Sequence, residues 1–197
     1  MTTPTNPPAA QYVAMGDSFS SGEGNPIFET SSDVDGINEC HRSSQAYPRL
    51  LQADTSLNME PTVFVACSGA TTTEVLFGNP DKGNWNEGPQ VDALSQEETE
   101  IVTIGIGSND VGFADYAKAC VLNSHIPNLG CGPSTPAYAD ISSKINANSF
   151  LPKLEAVYNT ILQKAPNAQV YVLSYPMLFG DAASSVNCTF ADATGAE

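Results

Sequence analysis

Basic side chains are scarce in this sequence. Lys and Arg number 7 against 22 Asp and Glu, so the formal net charge is −15 at pH 7. Binding to nucleic acid needs clustered Lys and Arg that neutralise phosphates, so the charge balance argues against a nucleic-acid partner. The same deficit argues against electrostatic docking on anionic membranes.

Long apolar runs are also missing. No stretch approaches the roughly 20 residues that a membrane-spanning helix needs, and the start of the chain lacks the basic and apolar regions of a signal peptide. No membrane span is therefore predicted. The Pro-rich residues 1–10 are interpreted as an N-terminal segment and residues 11–197 as one domain, because a chain of about 200 residues usually builds a single core.

The five cysteines lack the Cys-x-x-Cys spacing of a zinc site. Together with the low lysine content they predict a mature secreted protein whose leader is already absent. Their odd number leaves at least one thiol without a partner in this chain. Several pairings into two disulfides are open, and the economical one joins Cys40 to Cys67 and Cys120 to Cys131, which leaves Cys188 over.

Several familiar motifs fail at single positions. Ser20 stands where the Gly-x-Ser-x-Gly motif of α/β-hydrolases needs its last glycine. Asp110 likewise replaces the last glycine of a dinucleotide-binding pattern, and the absence of a phosphate-binding loop disfavours a flavodoxin-like phosphate binder. Asp33, Asp35 and Glu39 lack EF-hand spacing and are interpreted as a solvated acidic loop. No cofactor and no metal are predicted.

The hydrophobic pattern alternates between strands and helices. Short apolar runs predict buried strands at 11–15, 62–66, 101–106 and 168–173. Helices are predicted after Pro48, over 111–122 and, as one long amphipathic helix, from about Ile141 to Ala165. The apolar stripe of that long helix is predicted to contain Ile145, Leu151, Leu154, Val157, Ile161 and Leu162. Apolar strands separated by helices indicate an α/β three-layer sandwich around a parallel sheet.

Turns of glycine and polar residues follow the first three predicted strands, at 16–24, 67–71 and 107–110. Because ligands bind outside the carboxyl ends of parallel strands, we expect these turns to meet at one edge of the sheet. Glycine lets the backbone approach a ligand closely, while serine and asparagine offer a nucleophile and a hydrogen-bond donor. This edge is therefore the predicted site.

The three turns also carry a family pattern. The run Gly16-Asp-Ser-Phe-Ser20, Gly69 after the second strand and Gly107-x-Asn109 after the third resemble the first three sequence blocks of the SGNH (GDSL) hydrolases. The sequence is most similar to the secreted lipase/esterase branch of actinobacteria and fungi, over most of residues 11–190. The resemblance implies a flavodoxin-like SGNH hydrolase fold and a serine esterase that works without a cofactor.

The resemblance assigns roles to three residues. Ser18 corresponds to the nucleophile, and the backbone N–H groups of Ser18 and Gly69 with the side-chain amide of Asn109 correspond to the oxyanion hole. These types suit acyl transfer, which needs an attacking hydroxyl and donors aimed at the developing oxyanion. Asp17 and Asp110 are expected to tie the loops of the site together. The implied function is extracellular hydrolysis of a small-molecule ester, a lipid or an acylated glycan.

The Asp-x-x-His block that supplies the family's general base does not occur in this sequence. The two histidines, His41 and His125, have no aspartate three residues before them. We expect a structural role for His41 near a disulfide, and His125 is an alternative base because it follows the third strand.

The absent block and the unpaired Cys188 predict a domain truncated at its C-terminus. A second chain or a downstream segment is then expected to carry the catalytic histidine, and the chain alone is predicted to be poorly active or inactive. The alternative hypothesis is a non-catalytic or truncated SGNH-fold module that binds a lipid or glycan ester.

Overall fold

A computed structural model of the chain describes residues 10–25, 27–79, 87–122, 130–146 and 148–175. Its strands and α-helices, in chain order, are β1 (Gln11–Gly16), α1 (Ser18–Ser21), α2 (Tyr47–Ala53), β2 (Val63–Phe64), α3 (Thr72–Phe77), β3 (Thr99–Gly105), α4 (Phe113–Leu122), α5 (Pro136–Lys144), α6 (Leu151–Lys164) and β4 (Gln169–Val172). Short 3-10 turns lie at Thr30–Ser32, Thr55–Leu57 and Gln90–Ala93. None of the helices in these ranges is long and apolar enough to cross a membrane.

The four strands form one parallel sheet in the order β2-β1-β3-β4. The predicted α/β class and parallel sheet are therefore confirmed, and each predicted strand is present with shifted bounds. From β1 the chain moves to β2 on one side, and then returns to place β3 on the other side. The topological switch point therefore lies between β1 and β3. Open α/β sheets bind their ligands at this point, outside the carboxyl ends of the two strands.

The predicted long helix from Ile141 to Ala165 is wrong, because the chain turns between α5 and α6. Asn146 causes the break: its side-chain Oδ1 accepts the backbone N–H of Asn148 at 3.1 Å and of Ser149 at 3.0 Å. Such local side-chain bonds offer the backbone an alternative to the helical ladder. A proline then occupies the first turn of α6, a position that suits proline because no helical hydrogen bond is lost there.

Only part of the predicted apolar stripe is buried. Ile145, Leu151 and Leu162 are about half exposed, so their predicted place in a buried stripe is wrong. Val157 and Ile161 of α6 are fully buried, as predicted.

One face of the sheet is well covered by helices. α3 and α6 pack on it together with the 3-10 turn at Gln90–Ala93, and the largest hydrophobic cluster of the described residues lies here. Its buried members are Val13, Met15, Cys40, Cys67, Ala70, Val75, Val91, Val102, Ile104, Ile106, Val157 and Ile161. This face supplies most of the described apolar core.

The opposite face has a smaller cluster of five buried residues, Tyr12, Ala14, Ala46, Phe64 and Ala66, next to α2. Its cover ends near β4, where Tyr171, the register partner of Thr103, is about half exposed. The larger of the two clusters of buried apolar residues therefore lies on the face covered by α3 and α6.

Candidate active site

The turn after β1 begins with a glycine that the packing requires. Gly16 lies beside Gly105 of β3 in the parallel register, with a φ of 131°. A Cβ at this position would overlap the Gly105 carbonyl oxygen and the Ser20 side chain, so another residue would push β1 and β3 apart. The Gly-Asp-Ser sequence thus starts where the packing between β1 and β3 leaves no room for a side chain.

Asp17 and Ser18 follow in the same turn. Asp17 is fully buried and caps α1, because its Oδ1 accepts the backbone N–H of Phe19 at 3.1 Å. Ser18 is the first residue of α1 and is half-buried. No hydrogen bond joins the Ser18 hydroxyl to any other residue that the structure describes. Its hydroxyl is therefore placed at the carboxyl edge of β1 and is not engaged by these neighbours.

The turn after β2 is tied to the turn after β1. The backbone N–H of Cys67 donates to the Gly16 carbonyl at 3.0 Å, and a disulfide joins Cys67 to Cys40. Gly69 follows two residues later, and its N–H makes no hydrogen bond with another described residue. The pairing of Cys40 with Cys67 was predicted and is confirmed, as is that of Cys120 with Cys131, which joins α4 to the segment before α5.

The turn after β3 needs a second close-packed glycine. Gly107 has a φ of 116°, and a Cβ there would lie 2.7 Å from the Phe150 ring. Asn109 follows, and its side-chain Nδ2 donates to the Ala70 carbonyl oxygen at 2.8 Å. An amide nitrogen carries two N–H donors, and the second one of Asn109 has no partner among the described residues.

Asp110 connects this third turn to α3. Its carboxylate accepts the Thr72 backbone N–H at 2.9 Å and the Thr72 hydroxyl at 2.6 Å, and Lys153 lies 3.5 Å away. The predicted loop-tying role of Asp110 agrees with these contacts. Asp17 makes the matching link on the other side, since its Oδ2 accepts the Ser108 hydroxyl at 2.9 Å.

The three turns therefore meet at one edge through direct hydrogen bonds, as the sheet rule led us to expect. The turns after β1 and β3 are joined through Asp17 and Ser108, and those after β2 and β3 through Ala70 and Asn109. The catalytic roles of Ser18, Gly69 and Asn109 stay predictions.

One residue of this network was missed by the sequence analysis. Tyr175, three residues past β4, donates its hydroxyl to Asp17 Oδ2 and accepts the Ser108 backbone N–H at 3.0 Å. No motif marks it, although its position after a fourth parallel strand is the same signal that located the other turns. Burial raises the pKa of the Tyr175 hydroxyl, and the neighbouring carboxylate raises it further.

Burial also dominates the electrostatics of Asp17. Loss of solvent raises the pKa of its carboxyl above the ordinary value, while hydrogen bonds from Tyr175, Ser108 and the Phe19 N–H act in the opposite direction. The site thus contains a buried carboxyl held by neutral donors.

The other predicted residues lie apart from this network. His41, beside the Cys40 disulfide, has Nδ1 2.8 Å from Glu23 and stacks on Phe28 with ring centroids 4.8 Å apart, which agrees with a structural role. His125 and Cys188 lie outside the described residues. Within the described ranges, no group of three or more His, Cys, Asp and Glu side chains could hold a metal ion.

The sequence matches the GDSL-like lipase/acylhydrolase family over residues 14–194. It is 41% identical to Lipase 1 of Streptomyces coelicolor, an alignment that covers 85% of this chain and 53% of that protein. It is 36% identical to a lipase of Streptomyces rimosus, covering 87% of this chain and 54% of that protein. The chain thus spans about half the length of the curated relatives it matches.

Solved structures agree with the sequence matches. The extracellular lipase of Streptomyces rimosus superposes with a TM-score of 0.65 at 34% identity, over 90% of this chain and 66% of that one. Phospholipase A1 of Streptomyces albidoflavus superposes with a TM-score of 0.63 at 33% identity, over 87% and 62%. On the family match, the relatives and the shared fold, this chain belongs to the GDSL-like lipase/acylhydrolase family.

Proposed function

We propose that the site hydrolyses carboxylic esters through an acyl-enzyme on Ser18. One observation carries the proposal: hydrogen bonds join the turns after β1, β2 and β3, which contain the family motifs, at the carboxyl edge of the sheet. In the first step Ser18 Oγ attacks the ester carbonyl, its proton passes to a general base, and the alcohol leaves. In the second step water attacks the acyl-enzyme and releases the acid, which restores the Ser18 hydroxyl.

The oxyanion of each tetrahedral intermediate is proposed to be held by three donors. These are the backbone N–H groups of Ser18 and Gly69 and the second N–H of the Asn109 amide. The bond from Asn109 to the Ala70 carbonyl supports this role, because it fixes the amide plane while it leaves one donor for a ligand. Fixed donors are effective because they need no reorganisation when charge develops.

The general base is proposed to be a histidine outside these 197 residues, on a second chain or a downstream segment. Two observations support this. The Asp-x-x-His motif does not occur in the sequence, and His41 is engaged by Glu23 and Phe28. The chain alone is then expected to turn over esters slowly, since removal of one triad member leaves only the catalysis of the oxyanion hole and binding.

The proposed substrate class is the carboxylic ester of a lipid. It rests on the relatives, whose names are lipase and phospholipase A1. Secretion is proposed as well, because the chain carries two disulfides and one similar structure is that of an extracellular lipase.

The test uses hydrolysis of p-nitrophenyl butyrate by the 197-residue chain, with and without added imidazole as a substitute base. We expect a low rate that imidazole raises in the wild type but not in Ser18→Ala, whose rate measures the background reaction of imidazole itself. Ser44→Ala, in an exposed loop, is the control and keeps the wild-type rate.

A fluorophosphonate probe is expected to label Ser18, as mapped by peptide mass spectrometry. Equal rates in wild type and Ser18→Ala, with no label at Ser18, would reject the proposal.

A second candidate is a non-catalytic module that keeps the pocket and binds a lipid or glycan ester. The absence of the Asp-x-x-His motif is the observation that favours it. This candidate would be supported over the hydrolase by an ester ligand that raises the melting temperature of the chain but is not hydrolysed, with or without added imidazole.

A further inference from the structure

Asp17 is buried without a charged partner. It is 0% exposed, and none of the ion pairs formed by the described residues includes it. A buried carboxylate is costly unless hydrogen bonds compensate for the lost solvent. Both of its oxygens are used: Oδ1 by the Phe19 N–H, and Oδ2 by the hydroxyls of Ser108 and Tyr175. The carboxylate is thus held from three separate segments.

Tyr175 contacts two of the site's turns with one hydroxyl. It donates to Asp17 in the turn after β1 and accepts from the Ser108 N–H, at 3.0 Å, in the turn after β3. Its ring is fixed edge-on against Phe19 of α1, with centroids 4.8 Å apart. The hydroxyl therefore spans the switch point between β1 and β3, where the proposed substrate site lies.

The same network reaches both proposed catalytic groups. Asp17 precedes Ser18 and caps its helix, and Ser108 precedes Asn109, whose amide is in turn bonded to the Ala70 carbonyl. A shift in the Tyr175 contacts would therefore reach Ser18 through the neighbouring Asp17. It would reach Asn109 through the neighbouring Ser108.

On the basis of the proposed hydrolase function, we propose that Tyr175 is a positioning residue that locks the Ser18 turn against the Asn109 turn through Asp17 and Ser108. Attack on an ester needs the hydroxyl and the oxyanion donors in a fixed mutual geometry, and small misplacements of such groups cost rate steeply. Tyr175 touches neither the substrate nor the reacting atoms in this scheme. It acts by holding the two turns at one distance.

The first test is Tyr175→Phe, which removes the hydroxyl and keeps the ring. In the imidazole-assisted ester assay we expect kcat to fall about 10- to 100-fold, with KM changed less than about twofold, because the lost bonds involve a carboxylate and act on geometry only. Tyr171→Phe is the matched control: its hydroxyl lies on β4, is half exposed and donates to Gln169 at 2.8 Å. The control is expected to keep the wild-type kcat.

The second test does not depend on activity. Hydrogen exchange by NMR is measured at the Phe19 backbone N–H and the Asn109 side-chain amide, neither of which is bonded to the Tyr175 hydroxyl. In Tyr175→Phe both are expected to exchange about tenfold faster or more, while the amides of β1 and β3 keep their wild-type rates. If Tyr175→Phe does not fold, Ser108→Ala removes the parallel bond from the Ser108 hydroxyl to Asp17 and keeps the backbone N–H that Tyr175 accepts. Exchange at both reporters is then expected to rise in the same direction, but by less than in Tyr175→Phe.

The outcomes separate the two proposals. Unchanged exchange at both reporter groups would overturn the lock, whatever the activity. Faster exchange with a wild-type kcat would also overturn it, because Tyr175 would then support the fold without affecting the chemistry. A wild-type chain with no imidazole-assisted turnover and no label at Ser18 rejects the hydrolase, and the exchange rates then decide whether Tyr175 joins the two turns.

Discussion

The carboxyl edge of the sheet and the face covered by α3 and α6 both contain buried side chains, but these side chains differ in polarity. At the edge the buried groups are polar: the Ser108 hydroxyl donates to Asp17, and the Thr72 hydroxyl donates to Asp110. On the face they are apolar, and Val157 and Ile161 are 0% exposed. Buried hydrogen bonds add little net stability but fix geometry, whereas buried apolar area supplies most of the folding free energy. Activity and stability should therefore respond to different substitutions.

The largest separation is expected at Asn109. In Asn109→Ala we expect imidazole-assisted kcat to fall about 100- to 1,000-fold, the usual cost of removing one oxyanion donor. The free energy of unfolding should fall by only about 0.5–1.5 kcal/mol, the net value of the bond to Ala70. Asn159→Ala, on the exposed surface of α6, is the control for removal of an amide. A kcat equal to that of the control would contradict an oxyanion role.

The reverse pattern is expected on the covered face. Ile161→Ala should lower the free energy of unfolding by about 2–5 kcal/mol, because the lost side chain is fully buried and leaves a cavity. At a temperature well below melting, kcat should stay within about twofold of the wild type.

Leu162→Ala is the matched control, since this neighbouring leucine is 50% exposed and should cost about 1 kcal/mol or less. Urea denaturation measures both variants, with equal m-values as the check on two-state unfolding. Equal destabilisation at the two positions would show that α6 does not bury the face assigned to it.

The fold was predictable wherever a signal was local and strong. Each of the four strands is a short apolar run, and parallel pairing followed from the helices between them. α3 was missed although Thr71 and Glu74 form a capping box, a pattern readable in the sequence. The break after α5 was harder, because apolar periodicity continues through Asn146 and its side-chain bonds decide the turn.

The site was predictable as far as its motifs extend. The edge rule and the family pattern pointed to the turns of Ser18, Gly69 and Asn109, and hydrogen bonds join those turns. Tyr175 was not found, although it follows a predicted parallel strand, because no glycine and polar motif marks its turn; its bond to Asp17 spans 158 residues and depends on where β4 lies in the sheet. Contacts of that kind follow from strand order, which local patterns do not encode.

The smallest expected effect concerns the cost of the polar edge itself. Because burial raises the folded-state pKa of Asp17, the folded chain binds more protons than the unfolded chain between about pH 4, the ordinary carboxyl pKa, and that raised value. Stability should therefore fall as pH rises through this window, by at most about 1.4 kcal/mol per pH unit for one proton. The free energy of unfolding of the wild type minus that of Asp17→Asn is expected to decrease with pH.

Asp54→Asn is the opposite control, since hydrogen bonds from Ser56 lower the pKa of that exposed carboxyl. The free energy of unfolding of the wild type minus that of Asp54→Asn should therefore rise with pH. A difference that rises with pH for Asp17 would mean that its hydrogen-bond donors outweigh burial, and the edge would then stabilise the fold as the covered face does.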